Sequence, residues 1–108
     1  MQINSTSDGG WTVVKFTGSL DTNTSRQADE FLIILVESDQ TNLLLDFSDL
    51  DYISSSGLRI LLSMNKKLKL LNGEMRIFGM NPIVKEVFDI SGFNMIFKIF
   101  ESKSSATD

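Results

Sequence analysis

Between the polar turn SDQTN and a serine-rich stretch lies LLLDF, residues Leu43–Phe47, an apolar block with no helical period. Its length suits a strand buried on both faces, and strands of that kind belong to parallel sheets whose crossovers are helices. A central parallel strand at 43–47 therefore requires helical patterns before and after it. Both are present.

Upstream, WTVVKF (Trp11–Phe16) is rich in β-branched and aromatic residues and reads as a strand, with a shorter one near Gln2–Thr6 joined to it through SDGG. Beyond GSLD, Ala28, Phe31, Leu32, Leu35 and Val36 recur at helical spacing, which predicts an amphipathic helix capped by Thr22 or Thr24 and ending near Ser38. Downstream, the serine stretch opens a second helix whose buried face is Leu58, Leu61, Leu62, Leu68 and Leu71. Lys66, Lys67 and Lys69 near its end suit the negative pole of the dipole, and Asn72-Gly73 supplies the stop. EMRIFGM is a further strand, and Asn81-Pro82 starts a third helix with Ile83, Val84, Val87 and Phe88 on its apolar side. MIFKIF predicts a last strand, with the methionines and Phe93, Phe97 and Phe100 assigned to the core. The polar tail ESKSSATD, 101–108, is expected to fray.

Strands alternating with helices predict an α/β fold, one domain over 1–108 with a mostly parallel mixed sheet of about five strands and helices packed against it. The 108-residue length and 42% apolar content are enough for one continuous core.

Composition excludes much chemistry. Cysteine and histidine are both absent, which removes disulfides, thiolate nucleophiles, imidazole bases and the usual zinc ligands. A net charge of -4 argues against a nucleic-acid partner, since phosphate-backbone binding depends on clustered Lys and Arg. The longest apolar run, Phe31–Val36, is far too short to span a membrane, and MQINSTSDGGW does not read as a secretory signal, so a cytoplasmic location is expected. A hydrolase elbow needs glycine two residues before its serine, where Ile53 precedes Ser55, and no Gly-Lys-Ser/Thr phosphate loop occurs.

The stretch DYISSSGLRILL, 51–62, carries three consecutive serines, and a helix cap needs only one. It follows the central strand and begins the next helix, at the carboxyl edge where open α/β sheets place their sites. A helix start exposes unpaired N–H groups and the positive end of the macrodipole, and no carboxylate occupies the first turn here. A phosphate on one of these serines would be compatible with the helix and would act outward on a docking partner, with Asp46, Asp49 and Asp51 adding to a negative field. The plainer reading is a helix start with ordinary turn residues. Asp21, beyond the strand TVVKFTGSL, is a site carboxylate at the same edge or a turn residue before a helix.

The segments FTGSLDTNTS, LLLDFSDLDYISSSGLRILL, MRIFGMNPIVKEVFDISGF and IFKIFES resemble, in order and over nearly the whole chain, those of the STAS domain family, specifically the bacterial anti-sigma factor antagonists. The resemblance implies partner switching: such an antagonist binds a kinase-type anti-sigma factor and is released when that kinase phosphorylates a loop serine. In the family's Asp-Ser-Ser-Gly loop the first serine accepts the phosphate. Here the acceptor position is Ser55, and Ser54 stands where the family has aspartate and becomes a competing acceptor. Asp21, Thr22, Ser54, Ser56, Gly57 and Leu58 are the implied partner-binding residues, and the resemblance favours the functional reading of Asp21. The implied partners are an anti-sigma factor serine kinase, which holds the ATP, and a PP2C-like phosphatase. No catalytic residue, cofactor or metal is expected, no direct membrane insertion, and a monomer when free. The alternative is a constitutive STAS adaptor of a lipid-transport or signalling assembly.

Overall fold

The computed structural model describes residues 1–108. Strand β1 (Gln2–Asp8) turns through Gly9-Gly10 into β2 (Trp11–Leu20), followed by α1 (Ser25–Glu37), β3 (Asn42–Ile53), α2 (Ser55–Leu70), β4 (Glu74–Phe78) and α3 (Pro82–Ser91). A 3-10 turn at Phe93–Met95 leads to β5 (Lys98–Phe100) and a short α4 (Lys103–Ala106). Gly9 and Gly10 both have positive φ, 56° and 89°, as a two-residue hairpin turn that follows strand twist requires.

The five strands lie in chain order, β1 antiparallel to β2 and all later pairs parallel. Strand order never reverses. Because crossovers share one hand, an order that always advances in the same direction puts every crossover helix on the same face. Val14, Phe16, Leu43, Leu45, Phe47, Met75 and Ile77 of the sheet accordingly meet Leu32, Leu61, Met64, Leu68, Val84 and Phe88 of α1–α3 in one buried cluster. Phe16 packs edge-on against Phe47, with ring centroids 5.5 Å apart.

The opposite face carries a smaller cluster of Val13, Leu44 and Phe78, flanked by Trp11 and Phe100 and closed by Ala106. This corrects the expectation of a frayed tail over 101–108. Ala106 is fully buried, its carbonyl accepts from Arg76 Nη1 at 2.7 Å, and Lys103 pairs with Asp8. The polar sequence hid the helix because only one of its side chains enters the apolar cluster.

Three further expectations change. Strand β3 continues past Phe47 to Ile53; two register shifts, between Lys15 and Thr17 and between Gly18 and Ser19, let it carry two more residues than β2. Phe47, Leu50 and Ile53 consequently all reach the core at three-residue spacing, a period matching neither strand nor helix. Leu71 and Ile83, expected on buried faces, are 52% and 59% exposed, and Met95 is also exposed. The last strand is only Lys98–Phe100, since its expected start forms the 3-10 turn.

Candidate functional site

The extension of β3 delivers the serine stretch. Leu20 and Ile53 end β2 and β3 side by side, and the Ser54 N–H donates to the Leu20 carbonyl at 2.9 Å, so the chain is pinned to the neighbouring strand as α2 begins. Gly57 makes the close approach possible. A Cβ there would lie 2.8 Å from Leu20 Cγ and 2.9 Å from both Ile53 Cγ1 and the Leu20 carbonyl oxygen. Its φ is not in the left-handed region; what demands glycine is space.

The three serines have three different environments. Ser54 is the N-cap and accepts from the Gly57 N–H at 3.4 Å, a long bond. Ser56 is half-buried, its Oγ 3.4 Å from Thr22 Oγ1 across the seam to the β2–α1 loop. Ser55, the first residue of α2, is exposed, and its hydroxyl bonds to nothing in the chain. No acidic residue sits in the first turn of α2.

Thr22 thus meets the serine loop, whereas Asp21, beside it in the chain, is a turn former. Its Oδ1 accepts from the Asn23 N–H at 2.9 Å and the Thr24 N–H at 3.2 Å, and α1 starts without a side-chain cap of its own. Thr24 instead donates to the Ser19 carbonyl at 2.7 Å. Gly57 and Leu58, expected among the partner-binding residues, are both buried, Gly57 against β2 and β3 and Leu58 in the core.

The expected acidic field is weaker than the sequence suggests. Asp49 pairs with Lys15 at 3.0 Å, and that bond, with the charge of Asp46 nearby, raises the Lys15 ammonium above its ordinary pKa. Asp46 holds the Ser48 hydroxyl at 2.6 Å and its N–H at 2.9 Å.

Two side chains bearing on this edge escaped sequence reasoning. Asn81, recognised only as a cap, accepts from the Val84 N–H at 2.8 Å and donates to the carbonyls of Leu50 (3.0 Å) and Asp51 (3.3 Å), bracing the end of β3 from α3. Arg59 is exposed, makes no ion pair and stands four residues after Ser55 on α2. Its spacing from Ser55 was the available signal.

No cavity opens at this edge; every groove in the molecule is lined by other residues. The arrangement is an exposed loop presenting one free hydroxyl rather than a cleft that encloses a substrate.

The STAS domain family model matches residues 2–106. BtrV of Bordetella bronchiseptica, whose name assigns it to the anti-sigma factor antagonists, is 35% identical over 97 residues, covering 90% of this chain and 84% of that protein. The anti-sigma F factor antagonist of Paenibacillus polymyxa is 28% identical, covering 98% of this chain and 92% of its own. In three dimensions the chain is similar to the Bacillus cell fate determinant SpoIIAA in its phosphorylated form, with a TM-score of 0.74 at 19% identity over 99% of this chain and 97% of that one.

Proposed function

This chain belongs to the STAS domain family and, within it, to the anti-sigma factor antagonists, and from that premise we propose that it is a partner-switching antagonist turned off by phosphorylation of Ser55. Such antagonists are regulatory proteins rather than enzymes. In this reading the unphosphorylated chain binds a kinase-type anti-sigma factor through the edge formed by the serine loop and the β2–α1 loop. The kinase supplies the ATP, and a PP2C-like phosphatase reverses the mark.

The observation that carries the reading is the inequality of the three hydroxyls. Ser54 spends its oxygen on the helix and Ser56 faces Thr22, so only Ser55 is exposed and unengaged. A phosphate of charge about -1.5 to -2 at the first helical position meets the positive end of α2 and, one turn on, Arg59, so the added charge leaves the fold intact and changes the docking surface. The relatives support the reading by their names, and SpoIIAA has a phosphorylated form.

The test is a phosphopeptide map of the chain from its own cells together with affinities for the kinase-type partner. Ser55→Ala is expected to lose the phosphate and keep binding, and Ser55→Asp to fold normally and bind more weakly. Equal binding by both variants would sink the charge argument.

A further inference from the structure

At the end of the molecule away from the serine loop, the last turns of α2 and the starts of β4 and β5 border a groove of about 260 Å³. Asn65 forms part of its wall. This side chain is only 6% exposed, on a face of α2 otherwise occupied by Leu58, Leu61, Met64 and Leu68, yet its amide hydrogen-bonds to nothing in the chain. Asn65 lines the groove, and since no fully enclosed polar side-chain atom in the protein lacks a partner, its amide is open to solvent rather than sealed in the core. Leu in its place would fill similar space on the apolar face, so the amide is the polar donor and acceptor that this position offers to the groove.

The remaining lining is specific. Lys69 stands four residues on, on the same side of α2, and makes no ion pair. Lys98 and Glu74 lie at the rim, where the glutamate oxygen is already shared by Lys98 at 2.9 Å and Arg76 at 2.6 Å. The rim is therefore positive in balance. Met75 and Ile96 supply apolar wall. An N–H donor and a free ammonium one helical turn apart match two oxygens of one anion, and an apolar wall beside them matches a short hydrocarbon chain.

We propose that this groove binds a small aliphatic carboxylate, with the Asn65 amide and the Lys69 ammonium on its oxygens and its alkyl chain against Met75 and Ile96. The site lies about 15 Å along α2 from Ser55, by the rise of 1.5 Å per residue. It stands independently of the phosphorylation reading.

Titration of the ¹⁵N-labelled full chain with sodium butyrate tests it, with butyramide and inorganic phosphate as matched probes. Butyrate is expected to give saturable shifts at the Asn65 side-chain amide and at the backbone of Lys69 and Gly73. Butyramide lacks the charge and phosphate lacks the chain, so each is expected to bind about tenfold more weakly or worse. Asn65→Leu should keep the fold and lose the shifts, and the surface change Lys69→Gln should weaken binding about tenfold without touching the core. Absent or non-saturating shifts, phosphate binding as tightly as butyrate, or an unchanged response in Asn65→Leu would each overturn the proposal, leaving the amide to water alone.

Discussion

At Gly57 two residue-scale effects oppose each other. Alanine is the better helix former by about 1 kcal/mol, so propensity alone predicts that Gly57→Ala stabilises α2. The new methyl group, however, would press within 2.9 Å of a backbone carbonyl on β2, which cannot rotate away as a side-chain tip can. Sterics win, and we expect a loss of about 1–3 kcal/mol in urea unfolding, with weaker partner binding because the serine loop is displaced. The serines should separate in the same assay. Ser54→Ala gives up a long cap bond and should lose about 0.5–1 kcal/mol, whereas Ser55→Ala should change stability by less than about 0.5 kcal/mol. The triplet was conspicuous in the sequence; which oxygen is free became visible only with Thr22 and Gly57 in place.

Among the elements, α3 and α4 are tied down in different ways. The cap residue of α3 makes one intrahelical bond and two bonds to carbonyls of β3, so Asn81→Ala should cost about 2 kcal/mol, more than an ordinary cap. Asn81→Asp separates the two duties, since it keeps the acceptor for Val84 and loses both donors to β3. Helix α4 is held by one buried methyl group, the Arg76 bond to its last turn and the Lys103–Asp8 pair. Ala106→Glu should lift it from the sheet and uncover Trp11, the single tryptophan, which Arg76 faces at 4.8 Å. The expected readout is a red-shifted tryptophan emission with the helices on the other face undisturbed. Long periodic elements such as α1 and α2 were legible from sequence. A four-residue helix and a bulged strand were not, because a single turn has no period and a bulge breaks the one it interrupts.

For the molecule as a whole, the one-sided layering sets the electrostatics of the thinly covered face. Glu74 accepts from Arg76 and Lys98, and these bonds hold its carboxyl below its ordinary pKa of 4.5 despite some burial. A carboxyl lowered on folding stabilises the protein above its unfolded pKa, and that contribution disappears as pH falls through the folded value. Glu74→Gln should therefore be less stable at neutral pH, on the order of 1 kcal/mol, with the gap closing at acid pH, as urea midpoints at several pH values would register. Local patterning in the chain determined the alternation of strands and helices, the α/β class, the cap and stop of α3 and α2, and the serine-bearing helix start, because propensity, capping and hydrophobic period all act within one or two turns of chain. Tertiary structure decided which serine is free, why position 57 is glycine, where β3 ends, that α4 closes the second face, and that Asn65 opens on a groove. Each of those depends on atoms brought together from distant parts of the chain, and no local period records such a meeting.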